Sequence, residues 1–125
     1  MHIGSNAARL PRPAALAYAA AKAALATYSK GLASQVGRDN LRVNLVSPGA
    51  IETAAFAARL RVLAGQAGTD LATARERFLA TFNIPLGRPG TADDGAALVT
   101  FLVSAAAGYV TGTTHVIDGG LLPTV

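Results

Sequence analysis

The sequence predicts an α/β fold: a parallel sheet of about three strands with flanking helices in a single domain over residues 1–125. Three observations carry the prediction. A long Ala-rich stretch without proline precedes Leu41–Ser47, which alternates apolar and polar residues at period two, and a second β-branched run, Thr113–Ile117, follows further helical stretches. Strands alternating with long helices need crossover connections, which imply right-handed units and a sheet covered on both faces.

Taken in order, His2–Asn6 predicts a short strand and Ala7–Pro13 a loop, because Pro11 and Pro13 around Arg12 exclude regular helix. From Ala14 to about Val36 the composition predicts a helix, with Gly37 at the C-cap and Leu25, Leu32 and Val36 on one face. Arg38-Asp39-Asn40 is a polar turn, and Pro48-Gly49 ends the strand Leu41–Ser47. Ile51–Asn83 predicts two helices with apolar faces at Phe56, Leu60 and Leu63 and at Leu71, Phe78, Leu79 and Phe82. Gly65 and Gly68 separate them, and Thr69 or Asp70 caps the second. Pro85–Gly90 is turn-rich. Thr91-Ala-Asp-Asp94 resembles a capping box opening a helix to about Ala106, and Asp118-Gly119-Gly120 stops the last strand.

Composition narrows the function classes. With 51% hydrophobic and 14% charged residues, the chain is expected to fold rather than stay disordered. The absence of Cys excludes disulfides, thiolate metal sites and a cysteine nucleophile. The apolar stretch Ala96–Ala107, broken by Thr100 and Ser104, is shorter than the ~20 residues a bilayer needs, and no signal-peptide pattern opens the chain. A cytoplasmic protein with no membrane partner is the expectation. The formal net charge of +4 comes from scattered Arg and Lys with only 6% aromatics, not the basic stripe of a nucleic-acid binder.

The residues able to do chemistry converge on one pattern. Tyr18 and Lys22 lie at i and i+4 on the long helix, so they share a face. A free phenol titrates near 10, and an adjacent ammonium favours its phenolate, which creates a usable general acid/base. Alone, the pair is equally a surface tyrosine beside a solvated lysine. Ser5 lies where the first strand ends, at the edge where open α/β sheets bind ligands, and its hydroxyl can donate to a substrate oxygen. Pro48-Gly49 ends the second strand at the same edge, and Thr53 supplies a hydroxyl where the next helix begins.

Ser5, Tyr18-Ala-Ala-Ala-Lys22, Arg42-Val43-Asn44, Pro48-Gly49-Ala50-Ile51-Glu52-Thr53, Pro85-Leu86-Gly87-Arg88, and Thr111-Gly112 with Asp118-Gly119-Gly120 occur in an order and spacing that strongly resemble the short-chain dehydrogenase/reductase family. The resemblance covers the whole chain and implies a partial Rossmann-like, doubly wound sheet. It implies NAD or NADP as cofactor and a small carbonyl or alcohol as substrate. Tyr18 resembles the catalytic acid/base, Lys22 the residue that eases proton movement at Tyr18 and binds the nicotinamide ribose, and Ser5 the substrate-orienting hydroxyl. Pro48, Gly49, Ile51 and Thr53 resemble nicotinamide-side contacts, with Thr53 at the carboxamide. Residues 54–83 correspond to the substrate lid, whereas Asn44 and Asp118-Gly119-Gly120 match structural positions. The family's glycine-rich phosphate loop, its Asn-Asn-Ala-Gly motif and its tetrad asparagine are not found upstream of Ser5. The expectation is therefore a chain that lacks the N-terminal nucleotide-binding half and opens inside the family's fifth strand. The alternative is a catalytically inactive remnant that acts as an oligomerisation module, as a homo-oligomer or paired with an intact relative. His115 reads as a sheet residue and Asp93 and Asp94 as helix-start charges; two separated His exclude a metal site.

Overall fold

The structure, a computed structural model, describes residues 1–12 and 15–123. Pro13 and Ala14, where the loop was expected to end and the long helix to begin, lie outside the described residues. Three strands, β1 (His2–Ile3), β2 (Leu45–Pro48) and β3 (Thr114–Ile117), form a parallel sheet in the order β1-β2-β3. His2 pairs with Leu45 and Ile3 with Val46, while Leu45 to Pro48 run in register with Thr114 to Ile117. Four helices accompany them: α1 (Leu16–Val36), α2 (Ala54–Ala67), α3 (Leu71–Ala80) and α4 (Ala92–Val103). This is the α/β arrangement the sequence predicts.

The centre of the sheet is also the centre of the core. Leu45 and Val46 of β2 are 2% and 1% exposed, with Val43, Leu102 and Ala107 buried around them. Fully burying one such side chain contributes about 1.5–3 kcal/mol, so a four-residue strand can organise the domain. Arg42 donates from one guanidinium nitrogen to the Leu102 carbonyl at 2.7 Å and from the other to that of Ser104 at 3.2 Å, which fixes the end of α4 against the start of β2.

Several boundaries differ from the sequence reading, each for a local reason. The first strand stops at Ile3 because the Ser5 side chain caps a 3-10 turn over Asn6–Ala8. Ladder pairing in the second begins at Leu45 rather than Leu41. Val43 and Asn44 pair instead with the turn before β3: Val43 N–H donates to Thr111 Oγ1 at 3.0 Å, and the Asn44 amide donates to the Val110 carbonyl at 2.8 Å. The α1 side chains most deeply buried are Ala19, Ser29 and Ala33, not Leu25, Leu32 and Val36, which are half-buried. Small side chains let the helix lie close on the sheet, and His2 Nδ1 hydrogen-bonds Ser29 Oγ at 2.6 Å across that contact.

Helix ends follow side-chain chemistry. Gly37 stays right-handed at φ −62°, and the chain turns at Asn40, which takes the left-handed conformation at φ 58°. Gly68, left-handed at φ 61°, ends α2, whereas Gly65 lies inside it. Asp70 rather than Thr69 caps α3, and Thr91 and Asp94 form a complete capping box on α4. That helix ends at Val103, short of Ala106, because Ser104 caps a separate 3-10 turn over Ala105–Ala107.

Candidate active site

Every candidate residue lies at or after the carboxyl end of β1 or β2 or in the first two turns of α1, with Thr53 as the N-cap of α2. Ser5 follows β1 in extended backbone, and its Oγ accepts from the Ala7 amide at 3.2 Å. That bond uses a lone pair and leaves the hydroxyl hydrogen for another acceptor. Tyr18 lies in the first turn of α1 with half its surface exposed. One turn on, the Lys22 ammonium donates to the Ile3 carbonyl at 2.9 Å and sits 5.7 Å from the Tyr18 ring centroid. An ammonium has three hydrogens, so the strand end anchors Lys22 while two donors stay available.

The second segment is held as firmly. Gly49 N–H donates to the Ile117 carbonyl at 2.9 Å, and Ile51 pairs with Gly90 in an isolated parallel bridge. Thr53 caps α2 by accepting from the Phe56 amide at 3.2 Å, which again leaves its hydroxyl hydrogen free to donate. An ion pair between Glu52 and Arg75 joins this segment to α3.

Ser5, Tyr18, Lys22, Pro48, Gly49, Ile51 and Thr53 all line one cleft of about 400 Å³. Among its described lining residues Lys22 is the one charged group, so the cleft is weakly cationic. A second cleft of about 380 Å³ shares Ser5, Tyr18, Pro48 and Gly49 and is closed on its far side by Phe78 and Phe82. Ser5 and Tyr18 therefore stand at the seam between two spaces. Over the second, the rings of Phe56, Phe78 and Phe82 stack edge to face with centroids 5.5 and 5.0 Å apart.

The first cleft suits the nicotinamide end of a dinucleotide. Its donors are the Lys22 ammonium and the hydroxyls of Ser5, Tyr18 and Thr53, and its walls include Val46, Val99 and Ile117. No Gly-x-x-x-Gly-x-Gly run occurs in the sequence, and no such phosphate-binding turn lines the cleft among the described residues.

One residue of structural weight has no motif to announce it. Asn6, 5% exposed, donates from its amide to the Asp118 carboxylate and accepts from Ser47 Oγ at 3.1 Å. It thereby joins the ends of β1, β2 and β3 at the residue that follows Ser5. Asp118 also accepts from the amides of Gly120 at 2.9 Å and Leu122 at 2.8 Å, which gives the Asp-Gly-Gly turn its structural role. The remaining titratable candidates lie away from both clefts. His115 bonds Thr113 Oγ1 at 2.6 Å in β3. Asp94 is held well below the usual carboxylate range, first by the Arg88 guanidinium and then by the Thr91 cap. Among the described residues no group of three or more His, Asp or Glu could hold a metal ion, and no helix is long and apolar enough to cross a membrane.

Comparison with known proteins bears on the family and the fold. The family described as enoyl-(acyl carrier protein) reductase matches residues 1–122. The 3-oxoacyl-(acyl-carrier-protein) reductase of Haemophilus influenzae is 37% identical over 121 residues, which are 97% of this chain and 45% of that protein. Among solved structures, a short chain dehydrogenase family protein from Francisella tularensis superposes with a TM-score of 0.88 at 30% identity, over 95% of this chain and 49% of that one. L-sorbose reductase from Gluconobacter frateurii, complexed with NADPH and L-sorbose, superposes with a TM-score of 0.89 at 33% identity, over 99% of this chain and 47% of that one. The chain thus spans a little under half the length of the proteins it matches.

Proposed function

Since the chain belongs to the short-chain dehydrogenase/reductase family, we propose that it serves NAD(P)-dependent oxidoreduction of a small carbonyl or alcohol substrate in the cytoplasm. The observation that carries this reading is the convergence of Ser5, Tyr18, Lys22 and the Pro48–Thr53 segment, three separate stretches of sequence, on one cleft. When bound, the nicotinamide supplies or accepts the hydride. Tyr18 Oη gives its proton to the carbonyl oxygen during reduction and takes it back during oxidation. Lys22, anchored on the Ile3 carbonyl, keeps its ammonium beside the Tyr18 ring and would offer its remaining hydrogens to the ribose hydroxyls. Ser5 donates to the same substrate oxygen as Tyr18 and fixes its orientation. Pro48, Gly49, Ile51 and Thr53 would hold the nicotinamide in the first cleft, the Thr53 hydroxyl hydrogen being available to its carboxamide, and residues 54–83 would form the substrate lid.

Calorimetric titration of the 125-residue chain with NADH and NADPH, with a melting curve recorded alongside, tests the reading. Under this reading the chain binds one of the two with a cooperative melt, but weakly, because no glycine-rich phosphate loop contributes, and Tyr18→Phe should remove any turnover while leaving the melt unchanged. Absence of binding, or a fully active Tyr18→Phe variant, would overturn it.

A second reading has its own support. Large apolar side chains stand exposed on α1 and α4: Leu16 at 61%, Tyr28 at 60% and Val103 at 61%. They suit a chain that works as an interaction module, paired with itself or with an intact relative. Sedimentation separates the two: a concentration-independent monomer that binds cofactor would exclude the module.

A further inference from the structure

We infer that the substrate carries an anionic group, recognised by Arg12 and Arg59 at the end of the second cleft away from Lys22. The inference rests on the oxidoreductase reading for the reacting carbon, but the anion site has geometry of its own.

Arg12 and Arg59 both line the 380 Å³ cleft that also holds Ser5 and Tyr18. Each guanidinium lies over an aromatic face. Arg12 Cζ is 4.3 Å from the Phe82 centroid, and Arg59 Cζ is 5.5 Å from that of Phe78. Because Phe78 and Phe82 pack edge to face on each other, both cations are mounted on one aromatic unit of α3 and the turn after it. Arg12 is held further by donating to Thr81 Oγ1 at 3.3 Å and to the Thr81 carbonyl at 3.1 Å. Three of its five donor hydrogens remain, and Arg59 keeps all of its own.

Among the described residues no carboxylate answers these charges. The described ion pairs are Arg75 with Glu52 and Arg88 with Asp94, and no Asp or Glu is among the described residues lining the cleft. Two stacked guanidinium groups with open donors, beside an apolar wall and a proton-transferring phenol, form a receptor for a planar anion that accepts forked hydrogen bonds. A carboxylate attached to the carbonyl-bearing body of the substrate fits that chemistry. With the anion on the arginines and the carbonyl oxygen at Ser5 and Tyr18, the substrate is gripped at both ends. These residues would then select anionic carbonyl compounds over neutral ones of equal size.

The test uses two probes that differ in charge and by one methyl group, 4-formylbenzoate and its methyl ester, titrated calorimetrically into the full chain with and without NADPH. Wild type should bind the carboxylate about tenfold or more tightly than the ester, since one charge-assisted pair is ordinarily enough for that ratio. In the Arg12→Gln/Arg59→Gln variant the ratio should fall to near one while ester binding and melting temperature hold. A wild-type ratio near one, no binding of the carboxylate in either condition, or a ratio that survives the double substitution would overturn the inference. NADPH binding, read in the same series, reports on the oxidoreductase reading separately: cofactor binding without charge discrimination sinks only the anion site, and discrimination without cofactor binding sinks only the oxidoreductase.

Discussion

Gly49→Ala tests the packing that brings the two strand ends together. A Cβ at residue 49 would lie 2.6 Å from Asp118 Cβ and 3.0 Å from Asp118 Cα. Backbone conformation is not the obstacle, because Gly49 is not among the positive-φ glycines. Nor can Asp118 retreat cheaply, since its carboxylate holds Asn6 and the amides of Gly120 and Leu122. Forcing a methyl group into such a contact costs about 1–3 kcal/mol. With an unfolding entropy of about 2.1 cal/mol/K per residue, a chain of this length should lose about 4–11 °C in melting temperature. Gly65→Ala is the control: nothing lies within 4 Å of its Cβ position inside α2, so it should gain about 0.5–1 kcal/mol. The assay is thermal unfolding followed by circular dichroism. A Gly49→Ala melt within 1 °C of wild type, or an equal fall in both variants, would refute the reasoning.

Three further outcomes are expected. Asn6→Ala leaves the buried Ser47 hydroxyl and the Asp118 carboxylate each one partner short, and should cost about 1–3 kcal/mol in a urea titration; a loss below about 0.5 kcal/mol would contradict the bridging role. Asp94 has its folded-state value depressed by Arg88 and by the Thr91 cap, so its contribution is present above the ordinary carboxylate range and lost as pH falls below about 4. The urea midpoint of wild type should therefore exceed that of Asp94→Asn at pH 7, with the gap closing on acidification; a gap that widened towards acid would have the wrong sign. Lys22→Met should lower kcat/KM by about a hundredfold or more, because the charge beside Tyr18 and the tether to Ile3 go together; unchanged NADPH-dependent turnover of a test ketone would exclude the role given to Lys22.

Much of the fold was legible because its signals are local. Thr53 and Thr91 start helices with their own side chains, Gly68 ends one, and the alternation over Leu41–Ser47 and the β-branched run Thr113–Ile117 mark strands whichever way they pair. The misplaced boundaries share one cause: competition from partners distant in sequence. Asn44 looks like a strand residue until Val110 and Thr113 claim its amide, and the Leu-rich face of α1 looks like the buried one until β1 and β2 select the small-residue stripe instead.

For the site, the residue types and their order can be read along the chain: a hydroxyl at 5, a phenol and an ammonium one helical turn apart at 18 and 22, and a Pro-Gly turn followed by a capping threonine. Those relations are short in sequence, and helix geometry converts spacing into proximity without further information. That these pieces share a cleft, that Lys22 is tethered to the end of β1, that Asn6 ties the ends of the three strands together, and that Arg12 and Arg59 meet one aromatic unit are consequences of long-range packing. Arginines separated by 47 positions carry no periodicity that points from one to the other. They meet on one aromatic unit because α2 packs against α3 and because Arg12 reaches Thr81 and Phe82 just after α3, a balance of burial and hydrogen bonding that belongs to the folded chain as a whole.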